Sequence, residues 1–166
     1  MNPLKPKLMK LKFLVLHCTA TVDGQKVTSD DIRRWHLSPK PAGRGWKQVG
    51  YEKMFHLDGT VEQLVENNDD DFVDGWEITN GAVGINSISR HWVYVGGLSR
   101  VNKAPKDTRT AEQLESLKTQ INAFIAKHPR ILIAGHNQFA AKACPSFDVP
   151  KWLTSIGVPI TNIYQP

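Results

Sequence analysis

Cysteine is scarce in this sequence, because only Cys18 and Cys144 occur among its 166 residues. Two cysteines cannot form the multi-bridge framework of small secreted domains, so the fold must depend on a hydrophobic core. A single disulfide between them remains an alternative, although two free thiols in a reducing compartment are the simpler interpretation. Cys18 directly follows His17 in an apolar run that is expected to be a strand. Successive strand residues point to opposite faces, so Cys18 is expected to be a buried core thiol on the face opposite to His17.

Long apolar runs are also missing, since no stretch approaches the ~20 residues that a membrane-spanning helix requires. The lysine-bearing N-terminus precedes a short apolar run, but Lys12 interrupts that run and no small-residue cleavage site follows. We therefore expect no signal peptide and no stable membrane association. The protein is expected to stay in the cytoplasm where it is made.

Acidic residues are fewer than basic ones: 16 Asp and Glu against 21 Lys and Arg give a net charge of +5. A basic protein favours polyanions such as nucleic acid or anionic cell-wall polymers. None of the usual nucleic-acid recognition motifs occurs, so no nucleic-acid partner is expected. An acidic segment at 66–77 lacks the ligand alternation and glycine of a calcium loop, and a solvated loop is expected there. Part of the basic excess lies in an N-terminal extension, residues 1–12, with Lys5, Lys7, Lys10 and Lys12.

Hydrophobic patterning predicts a single α/β domain over residues 13–155, with a central mixed β-sheet flanked by helices. One domain also agrees with the length of the chain. Residues 156–166 are expected to form an irregular C-terminal tail. Apolar or β-branched runs predict strands at 13–16, 49–55, 61–65, 88–95 and 131–134.

Two helices have clear start signals. Thr28 with Asp31, and Thr110 with Gln113, have the spacing of capping boxes. The second helix carries an apolar stripe at helical spacing, which is typical of a core-facing helix. A short terminal helix is expected at 150–153.

Two of the predicted strands are followed closely by a histidine. The run 13–16 leads into His17, and the run 131–134 leads towards His136, with Cys144 eight positions later. If both strands pair in one sheet, the three side chains converge at one sheet edge. Two imidazoles and a thiolate form a three-residue zinc ligand set that leaves a fourth position for water or substrate. The sequence therefore predicts a catalytic type of zinc site at this edge.

Four short motifs occur in order: His-Cys-Thr-Ala from residue 17, Val-Gly-Tyr from 49, Leu-Asp-Gly-Thr-Val-Glu from 57, and Lys-Ala-Cys-Pro-Ser-Phe-Asp from 142. This order resembles the zinc-dependent N-acetylmuramoyl-L-alanine amidases of the phage-lysozyme, or type 2 amidase, family, which includes peptidoglycan recognition proteins. The resemblance extends from about residue 13 to about residue 152. It implies hydrolysis of the amide between N-acetylmuramic acid and L-alanine in peptidoglycan. It also implies Zn²⁺ as cofactor, bound by His17, His136 and Cys144.

The resemblance implies two catalytic side chains. Lys142 would stabilise the tetrahedral oxyanion, and Tyr51 would orient the attacking water or donate to the substrate oxygen. By residue type alone, Tyr51 is a packed strand aromatic and Lys142 an exposed lysine. Many relatives have histidine after the tyrosine, where this chain has Glu52, and some have one near Asn80. Strand alternation places Glu52 opposite Tyr51, so Glu52 is not expected to be a base. The remaining histidines are expected to be structural or surface residues: His36, His56, His91 and His128.

We expect a monomeric phage or prophage endolysin that acts on peptidoglycan. It would remain in the cytoplasm of the infected or lysogenic bacterium until lysis, and then act in the periplasm or cell wall. One alternative is a non-catalytic peptidoglycan-recognition module of the same fold. Such modules typically lose the cysteine ligand, so Cys144 favours the enzyme. A nucleic-acid-binding or polymerase-binding role has only the net charge in its favour.

Overall fold

The structure is a computed structural model that describes residues 8–166. Lys5 and Lys7 of the predicted basic extension lie outside the described residues. The strands are β1 (Met9–Lys10), β2 (Phe13–Cys18), β3 (Thr21–Val22), β4 (Lys53–Phe55), β5 (Val61–Gln63), β6 (Phe72–Val73), β7 (Ser89–Tyr94), β8 (Gly97–Leu98) and β9 (Leu132–Gly135). The helices are α1 (Ser29–Leu37), α2 (Ala111–Lys127) and α3 (Val149–Ser155).

The main sheet has five strands in the order β5-β4-β7-β2-β9. β4 and β5 form an antiparallel hairpin, and the other neighbours are parallel. Every residue of the adjacent strands β2 and β7 is buried. Parallel strands covered on both faces read as continuous apolar runs, which is why β2 could be found from its sequence. The predicted mixed sheet and the α/β class are confirmed.

The predicted strand at 49–55 is shorter in the structure and begins only at Lys53. Backbone groups just before it bond elsewhere: Val49 accepts from the Asn80 amide at 3.1 Å, and the Gly50 amide donates to His36 Nδ1 at 3.0 Å. These two hydrogen bonds hold the segment before β4 next to the ends of the parallel strands. As a result, Tyr51 stands beside the sheet edge where the parallel strands finish.

Both predicted capping boxes are present. The Asp31 amide donates to Thr28 Oγ1 at 3.2 Å, and the Gln113 amide donates to Thr110 Oγ1 at 3.0 Å. α2 and α3 pack on one face of the sheet, in a core that contains Leu14, Leu16, Trp92, Leu117, Ile121 and Leu153. α1 covers the other face through a smaller core with Ile32, Met54, Val93 and Val95.

Both ends of the described chain pack on the domain. β1 pairs antiparallel with β6, and Leu11 is buried. The C-terminal segment was expected to be irregular, yet it forms a short 3₁₀ turn, Ile160–Asn162, and bridges Ile163 to Ile133 of β9. Buried Asn162 causes this order, because its side-chain amide donates to carbonyls on the segment that leads into β9. Within residues 8–166, no helix combines the length and apolar character needed to cross a bilayer.

Candidate metal centre

The three predicted ligands meet at the carboxyl ends of β2 and β9. Leu16 pairs with Gly135 across these parallel strands, so the residues that follow, His17 and His136, are neighbours. Their ring centroids are 4.7 Å apart, and His17 Nδ1 lies 3.7 Å from Cys144 Sγ. One donor atom from each of the three residues lies within 4.8 Å of the others. The structure thus brings together the whole predicted ligand set.

The loop that carries Cys144 is fixed on both sides. The Cys18 amide donates to Cys144 Sγ at 3.3 Å, and the Tyr94 hydroxyl donates to the Pro145 carbonyl at 2.7 Å. Asp148 then caps α3 by accepting from the Lys151 amide. Cys18 and Cys144 are both free thiols in the structure, so the disulfide alternative is wrong.

Protonation states favour metal binding at the two imidazoles. Burial and the neighbouring His91 lower the pKa of His17 well below its ordinary value. Burial and the Lys142 ammonium lower the pKa of His136. Both rings are therefore neutral at pH 7, which is the form that binds a metal ion. By contrast, the contact with Cys18 and burial raise the pKa of Cys144, so its thiolate needs a nearby cation.

Tyr51 and Lys142 stand around the ligand set. The Tyr51 ring is partly buried, with its centroid 5.2 Å from that of His17. Burial, followed by the nearby cysteines, raises the pKa of Tyr51, so its hydroxyl stays protonated at neutral pH. Lys142 is exposed and lines the same cleft as Cys144. The structure brings both predicted catalytic residues to the candidate site.

A cleft of about 260 Å³ is lined by two of the three candidate ligands, His136 and Cys144. Its outer wall belongs to α1 and the loop after it, where the Arg44 guanidinium lies 5.0 Å from the Trp46 ring centroid. A larger cavity of about 450 Å³ lies near Val27 and Val95 and contains none of the ligands. The cleft is lined by Ile32, Trp35, His36, Arg44, Trp46 and Asn80, in addition to the site residues.

Glu52 lies away from the cleft, as expected, although the strand begins only at Lys53 and does not include Tyr51 or Glu52. It is buried and its carboxylate is 3.4 Å from the Arg90 guanidinium, which also bonds Glu77 at 3.2 Å. Burial raises the pKa of Glu52 despite the opposing effect of Arg90. The acidic segment is therefore not entirely solvated as expected, since Glu77 is a buried ion-pair partner.

The other histidines differ in their relation to the site. His36 accepts the Gly50 amide at its Nδ1, and burial lowers its pKa to about 4. His56 contacts Glu62 at 2.7 Å, and His128 contacts Asp71 at 2.8 Å. His91 is buried and lies 2.9 Å from His17, a contact that the sequence did not reveal. Only the strand order and the Val15–His91 pairing could have shown it.

The fold and the site define a class of protein: an α/β domain with a His-His-Cys group that could hold a metal ion at the edge of its sheet, beside a cleft. Within that class, residues 7–147 match the N-acetylmuramoyl-L-alanine amidase family, and the chain belongs to this family. The family assignment made from the sequence is confirmed.

Individual relatives agree with this assignment. The endolysin of Escherichia phage T7 is 33% identical over 139 residues, which cover 84% of this chain and 83% of that protein. The solved Ph2119 endolysin from the Thermus scotoductus MAT2119 bacteriophage superposes with a TM-score of 0.67 at 23% identity, covering 90% and 86% of the two chains. The amidase LysC from Clostridium intestinale URNW has a TM-score of 0.68 at 21% identity, covering 91% and 88%. These two structures share the fold.

Proposed function

We propose that this protein is a zinc-dependent enzyme that hydrolyses the amide between N-acetylmuramic acid and L-alanine in peptidoglycan. The observation that carries the proposal is the ligand set of His17, His136 and Cys144, whose donor atoms lie within 4.8 Å of one another. Two imidazole nitrogens and one thiolate suit zinc, and three protein ligands are typical of catalytic zinc sites. Membership of the amidase family supports the same reaction.

The residues present fit the ion that the reaction requires. When bound, zinc lowers the pKa of a coordinated water to roughly 7 and polarises the scissile carbonyl. His17 and His136 offer neutral nitrogens, because burial lowers the pKa of both. Cys144 must release a proton to become a ligand, since its neighbourhood raises its pKa.

Lys142 and Tyr51 have separate roles in the proposed reaction. The Lys142 ammonium holds a positive charge in the cleft, where it stabilises the oxyanion that develops on the substrate. After burial, its charge is the second cause that lowers the pKa of His136, which supports a place for the ammonium close to the candidate ligands. The Tyr51 hydroxyl remains protonated, so it donates a hydrogen bond to the substrate oxygen and does not act as a base.

The biological role we propose is that of a monomeric phage or prophage endolysin that reaches peptidoglycan at lysis. The relationship to the phage T7 endolysin supports this role. The basic rim of the cleft, at Arg44 beside Trp46, suits an anionic glycan-peptide.

The test is a digest of purified peptidoglycan, assayed for new α-amino groups and for new reducing sugar ends, with and without a zinc chelator. We expect new amines without reducing ends, lost on chelation and restored by zinc. Reducing ends would instead indicate a glycosidase. Wall binding without either product would indicate the non-catalytic recognition module.

A further inference from the structure

His17 has a different partner at each of its ring nitrogens. Its Nδ1 is 3.7 Å from Cys144 Sγ, on the side of the ligand set. Its Nε2 is 2.9 Å from Nδ1 of His91. Both rings are buried, with 1% of His17 and 0% of His91 exposed. The imidazole of His17 therefore connects the candidate metal centre directly to His91.

Metal binding at His17 fixes the proton positions on both rings. A metal ion held by Nδ1, the nitrogen that faces Cys144, would use the lone pair of that nitrogen, so the ring proton of His17 would sit on Nε2. That N–H donates to His91 Nδ1, which must then be an acceptor. His91 is consequently neutral and carries its own proton on Nε2.

We propose that His91 is a positioning residue that holds His17 in the tautomer and orientation required for zinc binding. The inference rests on the zinc site proposed above. Metal-bound histidines generally donate their second N–H to a carboxylate, carbonyl or water, and such partners orient the ligand. In this protein a neutral imidazole is the acceptor, so the ring is oriented without negative charge being added beside the site.

The backbone holds His91 in place for this task. β7 and β2 are parallel, and His91 pairs with Val15, two residues before His17 on the same strand face. The His91 carbonyl accepts the Glu52 amide at 2.8 Å. Gly81 lies against the ring, where a Cβ would come within 2.4 Å of it. The imidazole is thus enclosed by a loop that needs glycine to approach so closely.

Packing alone does not account for an imidazole at this position. Among the residues that the structure describes, Nε2 of His91 has no hydrogen-bond partner. A buried N–H without a partner costs free energy that an apolar side chain of similar size would avoid. The contact with His17 is the hydrogen bond that favours histidine over leucine here.

The experiment compares His91→Leu and His91→Asn with the wild-type chain. Leucine removes the acceptor, whereas the asparagine side-chain oxygen can occupy the place of Nδ1. Zinc affinity is measured by competition with a chelating dye, ligand geometry from the visible spectrum of the Co²⁺ form, and stability by thermal unfolding in excess chelator. His128→Leu is the matched control, because His128 is also a buried histidine and precedes β9, at the end opposite to His136.

We expect His91→Leu to weaken zinc binding about 10–100-fold and to alter the cobalt spectrum. The midpoint of its thermal unfolding without metal should move by no more than about 4 °C. The substitution removes the unpaired Nε2 of His91 but leaves Nε2 of His17 without its partner. His91→Asn should bind zinc within about threefold of the wild type, since it keeps the acceptor. His128→Leu should lower stability and leave zinc affinity unchanged.

The inference would be overturned if His91→Leu bound zinc as tightly as the wild type. It would also be overturned if His91→Leu and His91→Asn weakened zinc binding by the same factor. If His91→Leu does not fold, His91→Asn and His91→Gln decide the same question, because glutamine places its oxygen beyond the Nδ1 position. Tight binding by the asparagine variant and weak binding by the glutamine variant would support the hydrogen bond. A wild-type protein that binds no zinc would instead refute the proposed function itself.

Discussion

Leu16 and Gly135 pair in the parallel ladder between β2 and β9, and this pairing places the next residue of each strand, His17 and His136, side by side. His17 is the penultimate residue of β2 and His136 directly follows β9, so the separation of the two rings is set by the spacing of the sheet. Cys144 joins them from a loop that bonds the end of β2 and the cap of α3. Two of the three candidate ligands are therefore held at the ends of paired strands in the core of the sheet.

Replacing Cys144 with serine should abolish zinc binding and hydrolysis while leaving peptidoglycan binding largely intact. A serine hydroxyl is a poor substitute for a thiolate ligand. We expect activity to fall by more than about 100-fold. Loss of a group that only orients a metal ligand costs at most about 100-fold, and loss of the ligand itself should cost more. Metal content, wall pull-down and the amine assay measure the three properties separately.

Cys18→Ala is the matched control for this prediction. It removes the neighbouring sulfur and keeps the backbone amide that donates to Cys144. This variant should retain zinc, although it will lose some stability because Cys18 is buried. If Cys18→Ala lost zinc and Cys144→Ser retained it, the cysteine ligand would be Cys18 and not Cys144.

Lys142→Met should lower kcat by about 10²–10³ with little change in zinc affinity. Methionine keeps much of the length of the side chain and removes only the positive charge that we assign to the oxyanion. Steady-state hydrolysis of a soluble muramoyl-peptide, together with zinc titration, measures both effects. Lys151→Met changes an equally exposed lysine on α3 and should be neutral. A similar kcat for the Lys142 and Lys151 variants would remove Lys142 from the mechanism.

Tyr51→Phe should reduce kcat by about 10²-fold or more and leave the unfolding midpoint nearly unchanged. Phenylalanine preserves the ring that packs beside His17 and removes only the hydroxyl donor. Tyr164→Phe is a suitable control, since Tyr164 packs its ring on Phe139 away from the cleft. If Tyr51→Phe keeps full activity, Tyr51 is only the packed strand aromatic that its residue type suggests.

The sequence was sufficient for the parts of the site that depend on local patterns. The apolar runs within β2 and β9 lead to His17 and His136, and both capping boxes have their full spacing. Such signals need no knowledge of distant contacts. The convergence of the three candidate ligands could therefore be predicted once the two strands were assumed to share a sheet.

Contacts between distant segments could not be read in the same way. His91 lies within a strand, and nothing local distinguishes a core histidine from one that faces a ligand residue. Its contact with His17 depends on the β7–β2 pairing. Glu77 was likewise hidden in an acidic stretch, because its partner Arg90 follows 13 residues later and is buried at 2% exposure.

The buried ion-pair group of Glu52, Arg90 and Glu77 gives the last prediction. Glu77 is the better bonded carboxylate, since it contacts Arg90 at 3.2 Å and accepts amides from Asn68 and Asp74. Glu77→Gln should therefore destabilise the protein by about 3 kcal/mol, the usual cost of breaking a buried pair. In a chain of this size, that loss lowers the unfolding midpoint by about 6–12 °C.

Glu52→Gln should cost much less, because burial raises the pKa of Glu52 above its ordinary value of 4.5 and so disfavours its charge in the folded state. A carboxyl with a raised pKa opposes folding once the pH exceeds its unfolded value. The stability of Glu52→Gln relative to the wild type should therefore increase as the pH rises from about 4 to 7. Urea unfolding at several pH values measures this difference. If Glu52→Gln lowered the free energy of unfolding at pH 7 more than Glu77→Gln did, Glu52 would be the main partner that stabilises the buried charge of Arg90.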